Sequence, residues 1–220
     1  EYPEGVTPFE VAKSISDALA RNVISAQANG VTVETKTPLI SDTALTLFTW
    51  EDEAGKRAFW HSSAHVLAQA ILVFYPQAKL TIGPAIENGF YYDVDFGNEK
   101  FTEADFKKVE DKFLELARQK NEFTLRHETK AHALEYYGKE QNPYKVELIE
   151  ALEDGTISFC DHGDFTDLCR GGHIPNTGLI KAVKILSVAG AYWRGDEKNK
   201  QLTRVYAISF PQAKLLTEYL

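Results

Sequence analysis

Two pairs of histidine and cysteine side chains, each with four-residue spacing, set the strongest constraint on the fold of this chain. His61 and His65 form an H-x-x-x-H motif, and Cys169 and His173 form a C-x-x-x-H motif about a hundred residues later. Residues four apart project from the same face of a helix. The spacing therefore predicts a fold that brings two distant segments together around one pocket of three histidines and one cysteine.

This donor set leaves two chemistries open. Zinc binds histidine and cysteine in four-coordinate sites, so these four side chains are candidate zinc ligands. A hydrolytic zinc keeps one position open for water, however, and binding by all four residues leaves none. Metalloprotease chemistry of the H-E-x-x-H type is excluded because Ser62 stands where the glutamate base belongs. A catalytic zinc is thus an alternative that the donor set does not favour.

Composition and charge exclude several classes of protein. The 24 basic and 32 acidic residues give a net charge of −8, which argues against a module that grips nucleic acid by bulk electrostatics. No apolar run is long enough for a membrane span, and the polar, acidic start is unlike a signal peptide. Two cysteines are too few for a disulfide framework and indicate reduced thiols in a cytoplasmic protein. The helical pattern that runs into Leu220 without a cap predicts a fragment of a longer protein.

Residues 1–52 are expected to form a small β-grasp domain without its first strand. A helix begins at Thr7-Pro8, where proline is favourable. Asn29-Gly30 predicts a tight turn between two β-branched strands, and residues 44–50 predict a closing strand. The charged residues 51–56 are expected to form a linker.

Residues 53–220 predict a larger α+β domain built on an antiparallel sheet. Helical spacing or capping patterns mark four segments: 58–75, a stretch after Thr102, 129–138 and 143–153. Alternating or β-branched patterns mark strands at 79–84, 90–96, 123–127, 156–162, 183–188 and 203–209.

Several other side chains are candidates for chemistry or binding. Lys145 follows Asn142-Pro143 in the first turn of a predicted helix, where the helix dipole disfavours an ammonium, so a buried lysine there is a candidate base or water-orienting group. Asp167 is a candidate for fixing a histidine tautomer or holding a ligand amine. Cys169 has two candidate roles, and we favour a residue that lines the substrate pocket over a catalytic nucleophile. His132 and His162 are expected at the surface.

Two aromatic, glycine-rich segments, 89–93 and 190–196, are typical of core residues beside turns. Their alternative role is a wall on which a nucleobase stacks, with Arg194 near a phosphate.

Five segments occur in an order that resembles a known family: HSSAHVLAQA, IGPAIENGFYYDVD, NPYKVEL, DLCRGGH and AGAYWRGD. Together they resemble the N-terminal half of bacterial threonyl-tRNA synthetases. Residues 1–52 resemble the TGS domain of that family, and residues 53–220 resemble its editing domain, which alanyl-tRNA synthetases share. The resemblance implies hydrolysis of mischarged seryl-tRNA(Thr) at the ester to the 3′-terminal adenosine, in a fragment that lacks the aminoacylation domain.

The resemblance also implies roles for individual residues. His61 and Lys145 are implied to position or activate the water. Five residues are implied to bind the substrate. His173 and Asp167 orient it, Cys169 and His65 shape the side that holds the serine, and Tyr92 packs beside the adenosine. No metal and no cofactor are implied in this pocket, although the alanyl relatives place zinc on the equivalent four residues.

The implied partners are the serine-charged 3′ end of tRNA(Thr) and the rest of the synthetase, without a membrane. Two alternatives stay open: a zinc-dependent deacylase of the alanyl type, and a tRNA-binding module without catalysis. One departure is visible, because Gly172 stands where the family commonly has proline, in C-R-G-P-H. This replacement predicts a looser loop.

Overall fold

The computed structural model describes residues 1–220 as seven α-helices and eleven β-strands. The helices are α1 (Pro8–Ile15), α2 (Asp17–Asn22), α3 (Glu53–Phe74), α4 (Glu103–Arg118), α5 (Lys130–Lys139), α6 (Pro143–Glu150) and α7 (Ala213–Tyr219). The strands are β1 (Ser25–Ala28), β2 (Val31–Val33), β3 (Leu45–Phe48), β4 (Lys79–Leu80), β5 (Ala85–Ile86), β6 (Gly89–Asp95), β7 (Thr124–His127), β8 (Ser158–His162), β9 (Phe165–Leu168), β10 (Ala182–Tyr192) and β11 (Gln201–Phe210). All strand pairs are antiparallel, which confirms the predicted α+β class.

The N-terminal unit is a three-stranded sheet in the order β2-β1-β3, preceded by the short helices α1 and α2. Asn29 and Gly30 both have positive φ, 51° and 79°, as the predicted tight turn between β1 and β2 requires. Thr7 caps α1 in a reciprocal capping box with Glu10. The predicted helix, turn and closing strand are therefore all present.

Helix α3 begins five residues earlier than the sequence predicts, so most of the expected linker at 51–56 is wrong. The Asp52 carboxylate accepts a hydrogen bond from the Thr49 N–H at 2.7 Å and closes a turn directly before the helix. Gly55 then packs so tightly that a Cβ there would lie 1.9 Å from the Thr49 carbonyl oxygen. Because glycine has no side chain, the helix starts immediately against the end of β3.

A larger sheet in the order β10-β11-β6-β4, with β5 paired to β6, forms the centre of the molecule. Helices α3 and α4 pack against each other and against this sheet. Their core includes the fully buried Phe59, Phe90 and Phe113. Ile24 of the N-terminal unit belongs to the same core, and the Trp50 ring meets the Phe59 ring edge-on at 5.0 Å. The N-terminal unit and the larger sheet thus share one hydrophobic interior.

A third sheet, β7-β8-β9, carries α5 and α6 on a smaller core of its own. This arrangement places β9 and the start of α6 beside the middle of α3, where the sequence motifs lie. The helices include none with the length and apolar character needed to cross a membrane.

Candidate functional site

The two four-residue motifs meet in one pocket, as their spacing predicts. The rings of His61 and His65 lie side by side on α3 with centroids 5.0 Å apart, and the His173 ring lies 5.0 Å from His61 and 5.1 Å from His65. Cys169 Sγ is 3.0 Å from His61 Nε2 and 3.2 Å from His173 Nε2. Only the histidine pair is helical. Cys169 and His173 lie in the glycine-rich loop that follows β9.

Beside this cluster lies a buried charge network centred on Asp167 of β9. Its Oδ1 is 2.7 Å from Lys145 Nζ, while its Oδ2 accepts hydrogen bonds from the Tyr92 hydroxyl at 2.7 Å and from His65 Nδ1 at 3.0 Å. Asp167 and Lys145 are each only 2% exposed. Burial alone would raise the pKa of Asp167, but Lys145 and His65 hold that pKa well below its usual range. Burial and the nearby carboxylate raise the pKa of Tyr92 well above its ordinary value.

Local structure places Lys145 in this network. Asn142 caps α6 as predicted, because its Oδ1 accepts hydrogen bonds from the backbone N–H groups of Tyr144 and Lys145, each at 3.1 Å. The Asn142 side chain also donates to the Leu80 carbonyl at 2.8 Å, which ties the helix to β4. An ammonium 2.7 Å from a buried carboxylate is an ion pair. The ion pair fixes the Lys145 ammonium at the wall of the cavity, where its N–H groups are placed to donate hydrogen bonds.

The side chains of the cluster shift the pKa values of one another. Burial raises the pKa of the Cys169 thiol, but His65 and His61 outweigh burial and hold that pKa well below its usual range. Burial lowers the pKa of His61, and Cys169 offsets this only in part. Burial would also lower the pKa of His65, but Cys169 and Asp167 raise it above its ordinary value. Of this pair, His61 is thus the histidine whose pKa the surroundings lower, and His65 is the one whose pKa they raise.

One residue that the sequence analysis did not identify, Glu34, reaches the site from the turn after β2. Its carboxylate accepts hydrogen bonds from the Gly172 N–H at 2.8 Å and from the His173 N–H and Nδ1 at 3.1 Å each. Burial would lower the pKa of His173, but hydrogen bonds to Cys160, Cys169 and Glu34 raise it well above the ordinary value. A single acidic residue in a polar turn carries no motif, so no sequence pattern marks Glu34.

The loop that holds Cys169 and His173 is anchored on either side of His173, at Gly172 and at Ile174. Gly172 has φ of +88°, and its N–H binds Glu34. Proline has neither that φ nor an N–H, so the family proline is incompatible with this loop conformation. On the other side the Ser62 hydroxyl accepts a hydrogen bond from the Ile174 N–H at 2.9 Å. Gly172 in place of the family proline predicts a looser loop. In the structure, these two hydrogen bonds fix its position.

The donor atoms fit a zinc ion. One ligand atom from each of the four residues His61, His65, Cys169 and His173 lies within 4.8 Å of the others. His65 Nε2 is buried and has no hydrogen-bond partner. The Nδ1 atoms of His65 and His173 are each held by a carboxylate, as metal-binding histidines usually are.

A cavity of about 790 Å³ opens from the cluster, which is within the range of small-molecule sites and far larger than an amino acid needs. Its apolar walls include Ile82, Ala85, Leu148, Leu152 and Ile157. Two exposed arginines, Arg57 and Arg170, also line it, together with Gln27 and Thr32 from the N-terminal unit. The aromatic segment at 190–196 does not line this cavity, so the alternative stacking role of Arg194 and its neighbours finds no support here.

The predicted surface position of His162 is wrong, because this residue is only 2% exposed. Its Nε2 lies 3.0 Å from Gln69 Oε1, and Gln69 in turn donates to Asp164 at 2.9 Å. Burial lowers the pKa of His162 to about 3. His162 lies on the same face of β8 as Cys160 and Ser158, and Phe159 on the opposite face is also buried, so both faces of this strand are covered. His132 is exposed as expected.

Known proteins resemble the chain over its whole length. The family model of the TGS domain matches residues 1–49, and that of the threonyl and alanyl tRNA synthetase second additional domain matches residues 157–206. Threonine–tRNA ligases of Flavobacterium johnsoniae, Flavobacterium psychrophilum and Cytophaga hutchinsonii are 68%, 66% and 54% identical to it. Each match covers 100% of this chain and 34% of the relative, so the chain spans about a third of the length of the curated relatives it matches. Over all of its residues the chain thus matches one part of the threonine–tRNA ligases, and it contains a TGS domain and a threonyl and alanyl tRNA synthetase second additional domain.

Proposed function

We propose that this chain hydrolyses the ester that links serine to the 3′-terminal adenosine of mischarged seryl-tRNA(Thr). Residues 53–220 are the hydrolytic domain in this proposal, and residues 1–52 are the TGS-like domain. The observation that carries the proposal is the buried ion pair of Lys145 and Asp167, which meets the histidine–cysteine cluster in a cavity large enough for a nucleoside. The remainder of a synthetase is the implied partner, and a cytoplasmic location accords with two free thiols.

Selectivity gives the physical reason for such a site. Serine differs from threonine by one methyl group, and a difference of that size supports only about 10- to 200-fold discrimination in binding. A second site that admits serine and hydrolyses its ester removes the error. A single-stranded 3′ end reaches a cavity without a large basic surface, so a net charge of −8 is compatible with this substrate.

The reaction forms a bond between a water oxygen and the ester carbonyl carbon and breaks the bond between that carbon and the ribose oxygen. Serine leaves as the acid, and the ribose oxygen takes up a proton to become a hydroxyl. His61 is the proposed proton acceptor, because burial lowers its pKa and it lies at the cavity wall. In this scheme the chain's own residues perform the proton transfer.

Lys145 is the proposed donor to the water or to the carbonyl oxygen. Two of its three N–H groups bind Asp167 and the Tyr92 hydroxyl, which leaves the third for the substrate. A fixed donor directed at developing negative charge in a dry pocket is an effective source of catalysis. The Tyr92 hydroxyl accepts a hydrogen bond from Lys145 at 3.2 Å, and its ring packs beside Gly83 on the cavity wall, where we propose that it contacts the terminal adenosine.

His65 and Cys169 line the cavity and form the proposed serine side of the pocket. His173 is 1% exposed and does not line the cavity, so it supports this side through its contact with Cys169. The unpartnered Nε2 of His65 is available to the serine hydroxyl or amine. Asp167 orients the substrate indirectly, since it fixes both Lys145 and the His65 ring.

The test is a deacylation assay of the chain with seryl-tRNA(Thr) and threonyl-tRNA(Thr). We expect hydrolysis of the seryl ester well above the buffer rate and slow hydrolysis of the threonyl ester. A seryl ester that survives as long as in buffer, while the tRNA still binds, would identify a binding module without catalysis. Equal hydrolysis of both esters would contradict the serine preference.

A zinc-dependent hydrolase of the alanyl type is the second candidate, and the buried, unpartnered Nε2 of His65 favours it. The ligands would be His61, His65, Cys169 and His173. When bound, zinc supplies a Lewis acid that polarises an oxygen of water or substrate. Four protein ligands leave no position for water, so we propose the metal-free mechanism first. Metal content of the purified chain, and activity before and after a chelator, separate the two: stoichiometric zinc with loss of activity in chelator would favour the second candidate.

A further inference from the structure

We propose that Glu34, a residue of the N-terminal unit, is a positioning residue of the deacylation site. The inference rests on the proposed function, and it adds that the TGS domain completes the site rather than only flanking it. Glu34 touches neither the proposed water nor the proposed ester. It acts through His173 and the loop that carries it.

The Glu34 carboxylate is the shared acceptor for the backbone and ring N–H groups at the end of the site loop. Three N–H groups of two consecutive residues converge on it: the Gly172 N–H, the His173 N–H and the His173 ring. The Glu34 side chain is only 18% exposed, and His173 is 1% exposed. A carboxylate shielded from water that accepts three hydrogen bonds holds its partners strongly.

Glu34 determines which nitrogen of His173 faces the cluster. Stacking fixes the plane of the ring, because the Phe123 ring lies parallel to it at 5.3 Å and the His61 ring nearly parallel at 5.0 Å. Stacking does not distinguish the two ring nitrogens. The bond from Nδ1 to Glu34 does, and at 3.1 Å it is shorter than the 3.7 Å contact of the same nitrogen with Cys160 Sγ. It leaves Nε2 directed at Cys169, 3.2 Å away.

Other contacts keep Glu34 in place. Trp50 packs on Phe59 of α3, and Ile24 lies in the core that both units share. The ion pair of Lys36 with Glu122, by contrast, is exposed. Gln27 and Thr32 of the same small sheet line the cavity. The wall of the site beside His173 is therefore built by the TGS domain.

The experiment uses the whole chain with Glu34→Ala, Glu34→Gln and the control Lys36→Ala. The control removes another ion pair between the same two units, at an exposed place outside the cavity. Two readouts are measured: the single-turnover rate of seryl-tRNA(Thr) hydrolysis with its substrate dependence, and the Nδ1 proton resonance of His173 in histidine-ring ¹H–¹⁵N spectra, assigned with His173→Gln.

We expect Glu34→Ala to lower the hydrolysis rate about 10- to 100-fold at unchanged substrate affinity, as is common for residues that orient a functional histidine. The hydrogen-bonded Nδ1 resonance should disappear. Glu34→Gln keeps the shape and one acceptor oxygen, so an intermediate loss is expected; it also provides the test if the alanine variant does not fold. Lys36→Ala should leave both readouts as in the unmodified chain.

A rate within twofold of the unmodified chain in both Glu34 variants, or an intact Nδ1 resonance, would overturn the inference. The resonance does not depend on activity. If the unmodified chain fails to hydrolyse the ester, a resonance lost in Glu34→Ala still supports the positioning role while the deacylase proposal falls.

Discussion

At the scale of single residues, the site is a set of buried groups that satisfy one another. Asp167 receives hydrogen bonds from Lys145, Tyr92 and His65, so removal of any partner changes the remaining ones. Buried charges of this kind contribute little net stability as pairs but destabilise strongly when one partner is removed. Function and stability are therefore coupled at Lys145.

Lys145→Ala is expected to lower the seryl-tRNA(Thr) hydrolysis rate about 100- to 1000-fold, because it removes the proposed donor to the reacting ester. It should also lower the free energy of unfolding by about 3–5 kcal/mol, since it leaves the Asp167 carboxylate buried and unpaired. The double variant Lys145→Ala/Asp167→Asn should recover most of the stability and none of the activity. Lys139→Ala, at an exposed lysine on α5, is the control. Single-turnover kinetics and denaturant unfolding measure both effects, and activity unchanged in the folded double variant would refute the role of Lys145.

His162 predicts a second residue-scale effect, on acid stability. Its pKa of about 3 in the folded chain lies below the ordinary value of 6.5, so the unfolded chain takes up a proton first as the pH falls. Stability from this group is complete above pH 6.5 and is lost as the pH falls from 6.5 to 3. The loss amounts to roughly 2–3 kcal/mol at pH 4.5. His162→Gln keeps a donor for Gln69 but does not titrate, so its stability should fall less steeply between pH 6.5 and 4.5 in urea titrations. Parallel curves for the two proteins would contradict this assignment.

At the scale of elements, α3 connects the small sheet to the site. One face carries His61 and His65, while the serines between them have structural roles: Ser62 binds the Ile174 N–H, and Ser63 binds the Ser209 hydroxyl at 2.7 Å. The position of the helix is therefore fixed along its length by hydrogen bonds to the site loop and to β11. Its first turn is fixed by Gly55 against Thr49.

Gly55→Ala tests that first turn. The new Cβ would lie 1.9 Å from the Thr49 carbonyl oxygen, so the end of β3 and the start of α3 must separate. We expect a loss of about 1–3 kcal/mol in the free energy of unfolding, as for overpacked positions. Gly138→Ala on α5 is the matched control, because nothing lies within 4 Å of its Cβ; it should stabilise by about 0.5–1 kcal/mol. Denaturant unfolding measures both variants. A Gly55 variant as stable as the control would show that β3 and α3 separate without loss of stability.

At the scale of the whole molecule, the two domains share both a core and a site. Ile24 and Trp50 join the larger hydrophobic interior, and Glu34 joins the cluster around His173. The proposed reaction therefore depends on how the TGS domain sits on the rest of the chain. The small sheet reaches the pocket through the Glu34 carboxylate and through Gln27 and Thr32, which line the cavity.

Local patterns in the sequence predict what depends on nearby residues. Helical spacing places His61 and His65 on one face, and Asn142-Pro143 predicts the first turn in which Lys145 lies. The pairing of residue 34 with residues 172 and 173 joins segments about 140 positions apart, so no local period or cap records it. The early start of α3 likewise depends on a backbone contact that only the folded chain contains. The burial of His162 also depends on a distant segment, because its ring meets Gln69 of α3, 93 positions away.

The charge distribution of the whole chain predicts a weak dependence of substrate binding on salt. The net charge is −8, and the cavity offers only two exposed arginines, Arg57 and Arg170, to a nucleic acid. If these meet one or two phosphates of the single-stranded 3′ end, the slope of log affinity against log salt is about −0.7 to −1.4. The dissociation constant of a non-hydrolysable seryl-tRNA(Thr) analogue, measured from about 50 to about 200 mM salt, gives that slope. Arg170→Ala should reduce it by about 0.7, whereas Arg118→Ala, outside the cavity, should not. A slope steeper than about −3 would mean that the chain contacts several more phosphates than those of the 3′ end. The tRNA body would then also bind the chain, and contacts with the 3′ end alone would not account for binding.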